Sequence, residues 1–173
     1  YLPKRGMKFD LGGIGKGYVA DKIIEYLQKN GATKGLVSVG GEVCSFGREH
    51  TIAIKNPFDE GNIALINTNK EIISISTSGD YERYIGAKDN HHILDNQTAR
   101  QNHYYSSVSI IKNGVECTQL DGIATFVFNS KPEDLKSIAQ KFNVAIISIS
   151  PEKEIRFENF SDLEIKNIEM FPF

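Results

Sequence analysis

The chain has 173 residues, 40% hydrophobic and 24% charged, which suits one globular domain able to bury a real core. A formal net charge of -2 and a pI near 6.1 supply no basic field to draw it to nucleic acid or anionic lipid. No apolar run is long enough to span a bilayer, the opening residues 1–8 do not read as a signal peptide, and Cys44 and Cys117 form no CxxC pair that would indicate zinc or a disulfide framework.

The first predicted helix follows Asp10-Leu11-Gly12-Gly13-Ile14-Gly15-Lys16-Gly17, with Ala20, Ile23, Ile24 and Leu27 recurring at i, i+3, i+4 and i+7 and Asn30-Gly31 as its stop. Residues 36–39 read as a short buried strand ending at Gly40-Gly41, and 51–55, 63–68 and 72–76 follow at the spacing of a meander. Residues 105–111 form another strand, which Asn113-Gly114 is expected to turn back towards Val115 and Glu116. Residues 120–128 read as helix despite their β-branched side chains. Pro132 opens a further helix with a stripe of Leu135, Ile138, Ala139 and Phe142, and 144–149 is a buried strand. The expected fold is α+β, a mostly antiparallel sheet with helices packed on it.

Four segments carry residues suited to chemistry. Gly12, Gly13, Gly15 and Gly17 around Lys16 would let backbone amides and a helix N-terminus approach a phosphate, although the same glycines serve a tight turn and close helix packing. Ser76-Thr77-Ser78-Gly79-Asp80-Tyr81 places hydroxyls and amides at a strand end, where a polar ligand or an ordinary turn fits equally. In His91-His92-Ile93-Leu94-Asp95 a histidine is available as a general base near neutral pH, and adjacent histidines are also common as surface or structural residues. Asp121 and Thr125, four residues apart on one helical face, offer hard oxygens to Mg²⁺ or Ca²⁺; the simpler alternative is a helix cap and a hydroxyl bonded one turn back. Two protein ligands leave most of a shell of about six oxygens to water, carbonyls or substrate phosphate.

Taken in order, Asp10-Leu11-Gly12-Gly13-Ile14-Gly15-Lys16-Gly17-Tyr18, Val39-Gly40-Gly41-Glu42, Thr77-Ser78-Gly79-Asp80-Tyr81, His92-Ile93-Leu94-Asp95 and Asp121-Gly122-Ile123-Ala124-Thr125 resemble the ApbE family of FAD:protein FMN transferases, over roughly residues 6–149. The resemblance implies that Gly13 and Lys16 lie against FAD. It implies further that Gly40, Gly41, Glu42, Ser78, Gly79 and Ile93 line the flavin-nucleotide pocket. His92 would deprotonate the acceptor hydroxyl, while Asp121, Thr125 and the Gly15 carbonyl would hold Mg²⁺, with Ca²⁺ as the alternative metal. The implied reaction moves FMN from FAD to a threonine or serine hydroxyl of an acceptor protein and releases AMP, or hydrolyses FAD when water is the acceptor. A catalytically impaired FAD- or nucleotide-binding module of the same fold is the alternative.

Several positions depart from the family pattern. Glu42 replaces the usual aspartate, Ser38 a common asparagine, and Gly122 an alanine, while Asn96, Thr98 and Ala99 stand where proline and a threonine-glycine pair are usual. Members usually carry well over a hundred residues before the Asp-Leu-Gly-Gly segment. The 173 residues are therefore expected to be a single ApbE-like domain in the form of a C-terminal portion. Resemblance to the family also implies a place in the periplasm or on the outer face of the bacterial cytoplasmic membrane, with a lipid anchor in the full-length protein.

Overall fold

Isoleucine-rich strands of four to seven residues dominate the chain, and every pair they form is antiparallel. The computed structural model describes residues 1–81, 83–86 and 90–173. Its elements run α1 (Gly15–Lys29), β1 (Gly35–Val39), β2 (Glu42–Phe46), β3 (Thr51–Lys55), β4 (Asn62–Thr68), β5 (Ile73–Gly79), β6 (Ser107–Asn113), α2 (Cys117–Phe128), a 3-10 turn (Pro132–Asp134), α3 (Leu135–Phe142), β7 (Ala145–Ile149), β8 (Ile155–Glu158) and β9 (Ile165–Met170). Six strands form one sheet in the order β1-β2-β5-β6-β7-β8, and β3-β4-β9 form a second.

The larger sheet is covered on both faces, which explains why consecutive residues of β5, β6 and β7 are buried, with serines alternating among the isoleucines of β5. Val108, Ile110 and Ile146 share a core cluster with Leu120, Ala124, Phe128, Leu135 and Ile138 of α2 and α3. On the opposite face Ile73, Ile75, Ile111, Ile147 and Ile149 cluster with Ile52, Ile54, Ile63 and Ile66 of the smaller sheet. Helix α1 covers the β1–β2 end, where Ala20 and Ile24 meet Val37, Cys44, Phe46 and Cys117. Among the described residues no helix is long and apolar enough to cross a membrane.

The α+β antiparallel class is as expected, with three differences in detail. The meander over residues 51–79 holds only in part: β3 pairs with β4 as expected, but in the second sheet, and β5 lies between β2 and β6. The missing neighbour is β2, reached through a two-residue turn in which Gly40 and Gly41 take φ of +52° and +101° between paired Val39 and Glu42. Asn113-Gly114 makes no hairpin; the Gly114 N–H donates to the Ile72 carbonyl, at 2.7 Å, and the chain enters α2. Strand β1 is an edge with only Val37 fully buried, and the strands β8 and β9 were outside the predicted set.

Candidate functional site

The site begins where α1 and α2 touch backbone to backbone. A Cβ on Gly17 would overlap the Cys117 carbonyl and stand 2.8 Å from the Thr118 Cα, so only glycine allows this approach. The first-turn amides of the two helices, which lack partners within their own helices, are satisfied reciprocally. Gly17 N–H donates to Asp121 Oδ2 at 3.0 Å, while the Cys117 and Thr118 amides each donate to Asp21 at 2.9 Å, joined by the Thr118 hydroxyl. Asp121 is 1% exposed, and its Oδ1 also accepts from Lys16 Nζ at 2.7 Å.

Glu42 enters from the Gly40-Gly41 turn and is completely buried, with the Lys16 ammonium 3.5 Å from its Oε1. Burial, reinforced by the nearby Asp121 carboxylate, pushes its pKa up to about 8, so the group keeps its proton at neutral pH. The turn is moulded on its neighbours: a Cβ at Gly40 would lie 3.3 Å from Lys16 Cδ, and one at Gly41 3.0 Å from the Thr77 carbonyl. Gly13 lies against α2 in the same way, its Cβ position 3.3 Å from Thr125 Oγ1. Thr125 Oγ1 donates to the Asp121 carbonyl at 3.1 Å, the back-bond that helical threonines favour. Gly122 has no steric need to be glycine, since its Cβ position is 3.5 Å from Ile14 Cγ2.

Lys16, Glu42, Asp121 and Thr125 therefore meet beside Gly13, Gly40 and Gly41. Among the described residues no group of three or more His, Cys, Asp or Glu side chains could hold a metal. Asp121, Thr125 and the Gly15 carbonyl nevertheless fit a hard cation in kind, being all oxygen, with Asp121 and Thr125 one turn apart and the glycine loop on the same face. Each Asp121 oxygen has a further lone pair beyond those used by Lys16 and Gly17.

Ser78 and Gly79 close β5, two strand positions beyond the Ser76 that pairs with Glu42, and a Cβ on Gly79 would overlap the Tyr81 ring. His92 lies on the connection between β5 and β6, exposed, and bonds to Arg83 rather than to the charged cluster. Its amide donates to the Arg83 carbonyl at 3.2 Å, and its Nδ1 lies 3.1 Å from the same oxygen. A carbonyl only accepts, so Nδ1 carries the hydrogen, and in the neutral ring the lone pair lies on Nε2, the form a general base requires. Ile93 is 5% exposed and belongs to the core cluster with Ile123 and Ala124, so its side chain anchors this connection. Beyond it Asp95 Oδ1 accepts from the Gln97 and Thr98 amides and the Thr98 hydroxyl, while Ala99 holds φ at +54°, a conformation that glycine would adopt without strain.

Neither the motifs nor the resemblance singles out Asp21, and His91 enters the sequence reading only as the neighbour of His92. The signal for Asp21 was its spacing of four from Gly17, which puts it on the face of α1 that meets α2.

Comparison with known proteins bears on the family and the fold. The ApbE family matches residues 1–148. A relative from Treponema pallidum named FAD:protein FMN transferase is 30% identical over 173 residues, covering 90% of this chain and 47% of that protein. One of the same name from Klebsiella pneumoniae is 41% identical over 97 residues, covering 55% of this chain and 30% of that protein. The crystal structure of the ApbE protein from Thermotoga maritima superimposes with a TM-score of 0.80 at 28% identity, covering 95% of this chain and 55% of that one. The chain thus spans about half the length of its longest-matching relatives. On the match over residues 1–148, and on a fold shared with a solved ApbE protein, the chain belongs to the ApbE family.

Proposed function

We propose that the chain carries the site for metal-dependent transfer of FMN from FAD to a threonine or serine hydroxyl of an acceptor protein, with release of AMP. The observation that carries this reading is the convergence of Lys16, Asp121 and Thr125 on the glycine loop, in a chain whose relatives bear the name FAD:protein FMN transferase. A diphosphate needs positive charge at close range, which the Lys16 ammonium supplies. Asp121, Thr125 and the Gly15 carbonyl would hold Mg²⁺ or Ca²⁺, which when bound supplies Lewis-acid neutralisation of diphosphate charge. Gly13, the Gly40-Gly41-Glu42 turn, Ser78 and Gly79 would contact the flavin nucleotide, with Ile93 supporting that pocket from the core.

His92 Nε2 would accept the proton of the acceptor hydroxyl as its oxygen forms a bond to the FMN-side phosphorus. The bond from that phosphorus to the AMP-side oxygen breaks, and AMP departs. With Glu42 neutral, the Lys16 ammonium would face Asp121 and the substrate.

The test is a thermal-shift titration with FAD, with and without Mg²⁺, on the wild type and Asp121→Ala. The expected result is a rise of about 3–4 kcal/mol in stability at several hundred times Kd, enhanced by Mg²⁺ and no longer metal-dependent in the variant. A wild-type protein that FAD and Mg²⁺ leave unshifted, or a metal response that survives in Asp121→Ala, would overturn the assignment.

A further inference from the structure

His91 and His92 are consecutive yet sit in opposite environments. His91 is 2% exposed, its ring edge-on to Phe128 and His103 at centroid distances of 5.5 and 5.7 Å. Its Nε2 lies 3.1 Å from the Asn102 carbonyl, so Nε2 carries the hydrogen and donates it. The remaining Nδ1 is buried and has no hydrogen-bond partner among the described residues. Such an orphan acceptor is destabilising, a cost that phenylalanine or leucine would avoid in this apolar setting. What histidine provides here is the N–H to Asn102.

That donor belongs to a chain of contacts running from α2 to His92. Asn129, at the end of α2, donates through Nδ2 to the Thr125 carbonyl at 3.2 Å and to the Leu94 carbonyl at 3.3 Å, and its Oδ1 accepts from Asn102 Nδ2 at 3.2 Å. Asn102 in turn holds His91, and Gln101 Nε2 donates to the His91 carbonyl at 3.1 Å. His91 pairs with Tyr84 in an antiparallel bridge, which fixes the adjacent Arg83 carbonyl beside His92.

From this we infer that His91 is a positioning residue: its buried ring, tied to Asn102, holds the Arg83 carbonyl where it orients His92 with Nε2 as the free base. The inference rests on the transferase reading for the use made of His92. Its structural content stands separately.

Long-range proton–nitrogen NMR of the imidazole rings reads each tautomer directly. The wild type is expected to show His91 protonated at Nε2 and His92 protonated at Nδ1 at pH 8. In His91→Phe, which keeps the buried aromatic ring and removes the donor, the His92 preference for Nδ1–H should be lost and FMN transfer should fall about tenfold in kcat with KM for FAD unchanged. His91→Gln, which can donate to the same carbonyl, should restore both. A wild-type His92 protonated at Nε2, or a folded His91→Phe with the His92 tautomer unchanged, would overturn the inference; if His91→Phe does not fold, the wild-type spectrum and His91→Gln still decide. Absence of any FAD response, with the His91-dependent tautomer intact, would remove the transferase reading and leave the positioning itself supported.

Discussion

The two ends of α2 are held by different physics. At the N-terminal end, Asp121 meets Lys16 and the Gly17 amide, Asp21 caps the helix in return, and the backbones touch at Gly17. These are bonds to charged groups, roughly twice as strong as neutral ones, and they leave no slack. At the C-terminal end Asn129 donates to the Leu94 carbonyl at 3.3 Å and accepts from Asn102 at 3.2 Å, both neutral bonds, and Phe128 packs against the buried ring of His91. The end proposed to meet phosphate is thereby preorganised, whereas the end beside the proposed base is held more softly. On the proposed reading, the acceptor hydroxyl would be brought to that softer end.

The sharpest way to break this contrast is Gly17→Ala. The new methyl would overlap the Cys117 carbonyl, which is main chain and cannot rotate away, so α1 and α2 must separate. Urea denaturation should show a loss of about 3 kcal/mol, at the upper part of the overpacking range. Gly15→Ala is the matched control: its nearest neighbour is Leu11 Cβ at 4.0 Å, and helix propensity should raise stability by about 0.5–1 kcal/mol. Equal effects of the two substitutions would show that the helices do not touch at Gly17.

Glu42 offers a second, pH-dependent test of the charged end. Its pKa in the fold is raised from the ordinary 4.5 to about 8, first by burial and then by Asp121. Between these values the native protein holds a proton that the unfolded chain has released, so its contribution is complete below pH 4.5 and is lost as pH rises through about 8. Metal-free wild type should therefore lose melting temperature from pH 5 to pH 8.5, by an amount on the order of 2 kcal/mol in stability. Glu42→Gln, neutral throughout, should show a flatter profile. A variant with the wild-type slope would place the titration elsewhere.

The same contrast governs how much was legible in the sequence. Helices α1 and α3 are legible from apolar spacing and from the Asn30-Gly31 stop and Pro132 start, α2 only from residue 120 onward although it begins at Cys117, and the antiparallel class follows from short strands between turns. The placement of β3 and β4 in a separate sheet does not, because strand order depends on which apolar faces meet, and the isoleucines of β3, β4 and β5 read alike. Gly40-Gly41 was legible as a pocket segment while its hairpin role passed unnoticed, although paired glycines are a strong turn signal. Lys16, Asp121 and Thr125 were singled out from an ordered set of motifs, but spacing alone could not show Lys16 bound to Asp121 from 105 residues away. The burial of His91 beside an exposed His92 was likewise invisible, since the core that separates them comes from α2.

The smallest expected effect falls at the softer end and sharpens the comparison most. Asn129→Ala removes the Nδ2 bonds to Leu94 and Thr125 and the Oδ1 acceptor for Asn102, all neutral contacts of 3.2–3.3 Å. Global stability should fall by about 1 kcal/mol, because each neutral bond contributes little net and water can replace part of it at this partly exposed position. The informative measurement is amide hydrogen exchange, residue by residue. The His92 amide, which donates to Arg83 across the released stretch, should exchange faster by about fivefold, while the Gly17 amide on Asp121 should be unchanged. Equal acceleration at both amides would mean that α2 transmits the loss along its length, and that its two ends are one cooperative unit rather than a rigid end joined to a yielding one.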